Sequence, residues 1–269
     1  MHALAILLSA AATLTPLQKA AMMVVTTESP RIFDGAAQVR FADQEGGAVK
    51  AFAAAPPWKA ARDYRSAAEA FAAGRATRAA LRRNGVDLDF APVLDAADGP
   101  LGEREFREPA FGVAFARGMG DAACVKHFPG LGSAAVSTDD RPHVDAHLRP
   151  QDLAPFREAI RAGVRCVMVN HAFYGRRYRA SLEPSTYRRL RSLGFRGVAI
   201  TDSLSLVRDA PVERWAPQAA RAGADMLLFT SPAHARRAVR ALLPLARSGR
   251  LDEHVERIER LRAAIRRRR

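Results

Sequence analysis

Of seven short strand-like runs in this chain, 22–26, 38–42, 86–91, 122–127, 165–170, 197–201 and 225–230, most are apolar on both faces instead of alternating with period two. A strand that is apolar on one side can border water. One that is apolar on both must be covered on both, and parallel strands lying under helices supply that cover. The stretches 66–83, 151–162, 184–192, 212–222 and 233–247 are rich in Ala, Leu and Arg, with apolar positions three and four apart. That is the pattern of helices with one buried stripe. Repeated strand–helix units predict an α/β fold on a parallel sheet, either doubly wound or closed into a barrel. No GxGxxG motif follows the first run, which argues against dinucleotide binding. No Gly/Ser/Pro-rich linker or internal repeat divides the chain, so one domain over residues 1–269 is expected.

Composition narrows the partners. The chain has 269 residues, 48% hydrophobic and 26% charged, which excludes disorder and collagen-like repeats and is ample for a full core. It carries 42 Lys+Arg against 28 Asp+Glu, a formal net charge of +14, and Lys19, Lys50, Lys59 and Lys126 are its only lysines. Such an excess raises nucleic acid or an anionic surface as a partner. No helix-turn-helix, zinc finger or basic platform with interleaved aromatics accompanies it, so no nucleic-acid partner is expected. From Arg236 onward there are 12 Arg against the acids Asp252, Glu253, Glu256 and Glu259. Residues 251–269 read as a solvated, frayed basic helix whose charge complements its own dipole.

Cys124 and Cys166 head two of the apolar runs, and no metal-type spacing such as CxxC exists. They are expected as buried reduced thiols; a disulfide requires the two runs to be neighbouring strands. Residues 3–12 have the length of a secretory apolar segment but lack a charged leader before them. They are too short to span a bilayer. Residues 1–13 therefore read as a signal segment or an N-terminal helix, and no transmembrane segment is expected.

Polar clusters recur where the apolar runs end: Asp43-Gln44-Glu45-Gly46-Gly47, Asp95, Lys126-His127, Asn170-His171 and Thr201-Asp202. In parallel α/β folds that edge is where chemistry is built. Five clusters on one edge exceed what packing needs, because every buried polar group must find a partner.

The run Lys126-His127-Phe128-Pro129-Gly130-Leu131-Gly132 resembles the KHFPGHG signature of glycoside hydrolase family 3, and within it the single-domain β-N-acetylhexosaminidase branch. DQEGGAVKAF from Asp43, GVDLDFAPVLD from Gly85, LGEREF from Leu101, VMVNHAFY from Val167, GVAITDSLSL from Gly197 and AGADMLLF from Ala222 follow the family's order. The resemblance covers roughly residues 14 to 250. It implies a (β/α)8, TIM-barrel-like domain and a retaining glycosidase that needs no metal or organic cofactor. Asp202 matches the nucleophile, and Asp43, Arg104, Lys126 and His127 match positions that hold sugar hydroxyls. His171 is a further candidate, either lining the substrate pocket or hydrogen-bonding backbone. The implied partner is a carbohydrate, a terminal β-linked sugar such as N-acetylglucosamine on a cell-wall-derived glycan, with a β-glucoside as the alternative.

Two departures qualify the resemblance. The branch continues its signature as KHFPGHGDTxxDSH, where a His paired with an Asp supplies the acid/base. In register, Leu131 replaces the second His, Ser133-Ala134 replace Asp-Thr, and Ser137-Thr138-Asp139 replace Asp-Ser-His. Asp139 is then the candidate acid/base, with Asp140 and His143 close by; the alternative is a solvated loop in a carbohydrate-binding pseudoenzyme. The stretch from Val25 to Asp43 is also short for the family, so the barrel is expected to be compact or to lack one βα unit.

Overall fold

A computed structural model describes residues 13–26, 39–96 and 98–267. The expected signal segment or helix at 1–13 lies outside these residues except for Thr13. Most of the short stretch between Val25 and Asp43 does so too. The chain opens with α1 (Pro16–Met22), whose Thr15 side chain accepts from the Gln18 N–H in a capping box. It then enters β1 (Val24–Thr26). The next strand, β2 (Phe41–Ala42), leads into an antiparallel hairpin of β3 (Gln44–Gly46) and β4 (Val49–Lys50). After it come α2 (Ala67–Arg83), β5 (Leu88–Asp89), α3 (Pro109–Met119) and β6 (Cys124–Phe128). The alternation continues through α4 (Ala154–Arg161), β7 (Cys166–Val169), α5 (Pro184–Ser192) and β8 (Val198–Thr201). It ends with α6 (Val212–Ala222), β9 (Leu227–Phe229), α7 (Pro232–Arg247) and α8 (Asp252–Arg266).

All seven apolar runs contain a parallel strand, and the pairings form one arc. β1 pairs with β9, β6 with β7 with β8, and β2 with β5. Single bridges Ile200 to Met226, Asp89 to Ala123 and Val93 to Lys126 join those sets in the order β1–β9–β8–β7–β6–β5–β2. Among the described residues nothing pairs β2 with β1, so the arc is not a closed ring there. Parallel strands place all their C-terminal ends on one edge, which brings the five polar clusters together. Among the described residues no helix is long and apolar enough to cross a membrane.

Cys124 and Cys166 correct one expectation. They are register partners on β6 and β7 with Cα atoms 4.3 Å apart, and they form a disulfide. The sequence suggests two free thiols because it does not say which strands are neighbours. The C-terminal helix corrects another. It is packed along a stripe of Val255, Ile258, Leu261 and Ala264. It is also pinned through Asp225, a fully buried acid just before β9. That carboxylate accepts from Arg191 at 2.6 Å, the His254 ring at 2.9 Å, Arg257 at 3.0 Å and the Ala199 N–H at 2.8 Å.

The helix α3 gives no clear helical signal in the sequence because its glycines and aromatics are poor helix formers. Two glycines explain its place. A Cβ on Gly118 would lie 2.2 Å from the Phe71 carbonyl oxygen, and one on Gly74 would lie 2.2 Å from the Phe115 carbonyl oxygen. The α2 and α3 backbones touch where neither helix has a side chain. Gly118→Ala should cost about 1–3 kcal/mol from overpacking, against a gain of about 1 kcal/mol in helix propensity. The check is a lower urea midpoint at unchanged m-value; equal or higher stability would mean that the helices separate freely.

Candidate active site

The DQEGG segment places one side chain after another on different tasks. Asp43 leaves β2 with its carboxylate half exposed. Gln44 turns inward, fully buried. Its amide donates to the Phe52, Ala55 and Pro56 carbonyls and accepts from the Phe52 N–H. Glu45 turns toward the strand ends, where Arg104 donates to it through Nε and a terminal nitrogen, both at 2.9 Å. Lys126 Nζ lies 2.6 Å from Glu45 and 2.8 Å from Asp43. Gly46, at φ +104°, has Lys59 O where a Cβ would be, 2.2 Å away.

This ion group is almost dry. Burial by itself would raise the Glu45 carboxyl, but Lys126 and Arg104 outweigh it and bring it from 4.5 to about 2. Burial likewise disfavours the Lys126 ammonium, yet Asp43 and Glu45 hold it charged well above its ordinary range. Asp89 lies fully buried beneath them, one carboxylate oxygen accepting from the Gln44 N–H. Burial pushes that acid up, the Gln44 N–H opposing and the Asp43 charge adding to it.

On β6, His127 follows Lys126, and Asp95 holds it. One Asp95 oxygen accepts from the His127 backbone N–H at 3.1 Å and meets ring Nδ1 at 2.7 Å. The other oxygen accepts from the Leu131 N–H at 2.7 Å. A carboxylate only accepts, so Nδ1 carries the proton and Nε2 is left for another partner. Asn170 donates to the His127 carbonyl and to Tyr174, whose hydroxyl donates to the Gly130 carbonyl. The loop after β6 is thus braced from β7.

Asp202 leaves β8 with its backbone N–H bonded to Val169 O, and its side chain accepts from the Ser203 N–H at 2.7 Å. Burial raises this carboxyl, but His171, His127, the Ser203 N–H and Lys126 together hold it below the ordinary carboxylate range. His171 is buried with both ring nitrogens engaged, Nδ1 with Ser181 Oγ at 2.7 Å and Nε2 with the Ser203 carbonyl at 3.0 Å. A carbonyl can only accept, so Nε2 donates and Nδ1 accepts from Ser181. Burial lowers the ring, against the Asp202 charge and the Ser203 carbonyl, which raise it. Of the two readings of His171, the backbone bond is present: its ring fixes the carbonyl of the residue after Asp202.

Asp139 projects from the loop between β6 and α4. The loop is closed by Ser133 Oγ, which donates to His147 O and accepts from His147 N–H. It is also tied to the segment after β7 by backbone bonds of Val144 and Ala146 with Phe173. Underneath lies a small apolar cluster of Leu131, Ala134, Val144, Val93, Leu101 and Ala172. Asp139 as a residue keeps solvent access, but its carboxyl loses hydration and feels Asp202. Both effects raise it, against His127, Arg104 and Lys126. The structure thus gathers Asp43, Arg104, Lys126, His127, Asp139 and Asp202 at one place. His143 stacks on Phe173 and pairs with Asp145.

Sequence reasoning does not assign Glu45, Asp95 or Asn170 to the site, although all three stand in the quoted motifs. A carboxylate flanked by Gln and Gly, without its tertiary partners, is indistinguishable from a surface acid. Glu45→Gln should cost about 3–5 kcal/mol, because it leaves two cations buried with one partner fewer. A carboxyl lowered by pairing stabilises the fold above 4.5 and loses that contribution as pH falls toward 2. The stability gap between the wild type and E45Q should therefore shrink as urea titrations move from pH 6 toward pH 3. A gap that is constant with pH would show that Glu45 is not the titrating partner.

The family model described as the glycosyl hydrolase family 3 N terminal domain matches residues 15–261. A β-hexosaminidase of Xanthomonas oryzae pv. oryzae is 36% identical over 197 residues, 61% of this chain and 58% of that protein. The match thus takes in under two-thirds of that relative's length. A solved glycoside hydrolase family 3 β-N-acetylglucosaminidase from Paenibacillus sp. is similar at TM-score 0.76 and 30% identity, over 85% of this chain and 50% of that one. A glycosyl hydrolase family 3 member from Mycobacterium smegmatis is similar at TM-score 0.82 and 27% identity, over 93% and 98%. The resemblance carried by KHFPGLG, DQEGG and ITDS is borne out, and this chain belongs to the glycosyl hydrolase family 3 N-terminal domain family.

Proposed function

We propose that the chain is a retaining glycosidase that releases a terminal β-linked N-acetylglucosamine, with Asp202 as nucleophile and Asp139 as acid/base. The observation that carries this reading is the opposite displacement of two carboxyls in one site: Asp202 is shifted toward its ionised form and Asp139 toward its protonated form, partly by Asp202 itself. Environments that push two carboxyls apart are what acid and nucleophile require. The sugar class is supported by the names of the relatives, β-hexosaminidase and β-N-acetylglucosaminidase. The accompanying architecture is one (β/α)8-type barrel domain, compact or short of one βα unit, supported by the seven-stranded arc among the described residues and the family match.

In the first step an Asp202 oxygen attacks the anomeric carbon as the bond to the leaving oxygen breaks, and the Asp139 proton passes to that oxygen. The product is a glycosyl ester on Asp202. In the second step ionised Asp139 takes a proton from water, the water oxygen attacks the same carbon, and Asp202 leaves as carboxylate. Asp43 and Lys126 are assigned to ring hydroxyls as an acceptor and donor, with Arg104 behind them, and His127 Nε2 to a further hydroxyl. His171 keeps the Ser203 backbone, and so Asp202, in position.

Replacement of the branch's Asp-Ser-His by Ser137-Thr138-Asp139, which removes the His–Asp pair, favours a second reading, a carbohydrate-binding protein without turnover. Incubation with an aryl β-N-acetylglucosaminide and an aryl β-glucoside decides between them. Turnover of either that is lost in Asp202→Ala supports the enzyme; binding without turnover supports the second reading.

Asp139→Asn should cut kcat/KM by about 10²–10⁴-fold on glycosides with poor leaving groups and much less on activated ones. Activity needs Asp202 deprotonated and Asp139 protonated. The profile of kcat/KM should therefore rise through a low pKa and fall through a raised one, and only the falling limb should vanish in D139N. Equal losses on both substrate types with an unchanged profile would assign the proton to another group.

A further inference from the structure

We propose that the indole of Trp58 is a stacking platform for a second sugar ring, so that the chain takes β-linked N-acetylglucosamine oligosaccharides end-on. The inference rests on the glycosidase reading above and extends it from the cleaved sugar to its neighbour. Trp58 is 66% exposed, against 7% for Trp215. A single exposed aromatic on a loop is common and means little by itself. Here the loop beneath it is built to hold it still.

The fully buried Gln44 amide makes four hydrogen bonds to the 52–56 segment immediately before the tryptophan. Pro57 and Lys59, on either side of Trp58, lie against Gly46, the Lys59 carbonyl filling the space of the absent Cβ. Lys59 is tied in turn to Glu69 on α2. The residues that fix the loop are thus the immediate chain neighbours of Asp43 and Glu45. A packing role would turn the ring inward, yet this scaffold turns it to water.

The ring is linked to Asp43 through Lys50. Lys50 Nζ stands 4.4 Å from the indole centre. The same Lys50 lines, with Phe52, Ala51, Asp43 and Thr230, a cleft of about 670 Å³. A pyranose ring presents axial C–H groups on its faces and hydroxyls at its rim. An indole face accepts the former, and a nearby ammonium can donate to the latter. A sugar continuing past Asp43 toward Lys50 meets both groups on a loop already ordered, so little entropy is lost in binding it.

The test compares substrates with and without a second ring. N-acetylglucosaminyl fluoride has none; the β-1,4-linked disaccharide and trisaccharide of N-acetylglucosamine have one and two. In Trp58→Ala, the ratio of KM for the disaccharide to KM for the fluoride should rise about 3–10-fold, with W58F restoring most of it. In the non-turnover variant D202N, the trisaccharide should blue-shift and shield the exposed tryptophan from acrylamide. N-acetylglucosamine itself should do so far less. A flat ratio with unshielded emission, in a protein that still cleaves the fluoride, overturns the platform and leaves the glycosidase standing. Shielding by the trisaccharide without turnover of any glycoside keeps the platform and overturns the glycosidase.

Discussion

Glu45 sits between two cations that reach it from other parts of the chain, Lys126 from β6 and Arg104 from the turn after β5. None of the three is well enough hydrated to be stable alone. Burying an isolated charge is prohibitive, and a buried pair breaks even only when its geometry is good and its remaining hydrogen-bonding capacity is met. The Arg104 fork meets both Glu45 oxygens, and Lys126 completes the set with Asp43. The strand ends are consequently held in one relative placement. Any slip of β6 against β5, or of the hairpin against either, would strand a charge. The site gains rigidity from charges that add little net stability.

The same logic separates the two carboxyls at the centre. Asp202 accepts from the Ser203 N–H and feels the charges of His171, His127 and Lys126, while Asp139, on an exposed loop, feels the like charge of Asp202. The loop can hold Asp139 there because it has an apolar anchor of its own. Leu131 occupies the place where the family's signature has a histidine, and it is buried with Val144, Ala134 and Val93. The departure from the signature at this position is therefore coherent apolar packing.

Much of the layout is legible in the order of the residues. Runs apolar on both faces mark strands that must be buried on both, and all seven strand-like runs contain one. Polar residues ending such runs mark the working edge, and Lys126, His127 and Asp202 follow from that together with their motif. What stays hidden depends on partners distant in sequence. Asp95 is a single acid at a strand end until His127 and Leu131 close on it. The cysteines read as separate thiols because only the order of strands makes them neighbours. His171 reads equally as a pocket residue or a backbone partner until Ser181 and Ser203 are seen to take its two nitrogens. The helix α3 hides because its glycines serve a backbone contact and not a helical preference.

The sequence by itself determined that this protein is a parallel α/β fold, which edge carries polar chemistry, and which family it resembles. Those properties are written in local patterns and short motifs, whose physics needs only neighbouring residues. The tertiary structure decided which carboxylates are held ionised, that Cys124 and Cys166 join, that α8 is packed and not frayed, and that Trp58 is presented on a fixed loop. Each of these is set by groups well separated along the chain. Charge, hydration and contact at such sites depend on distance in space, which the sequence does not state.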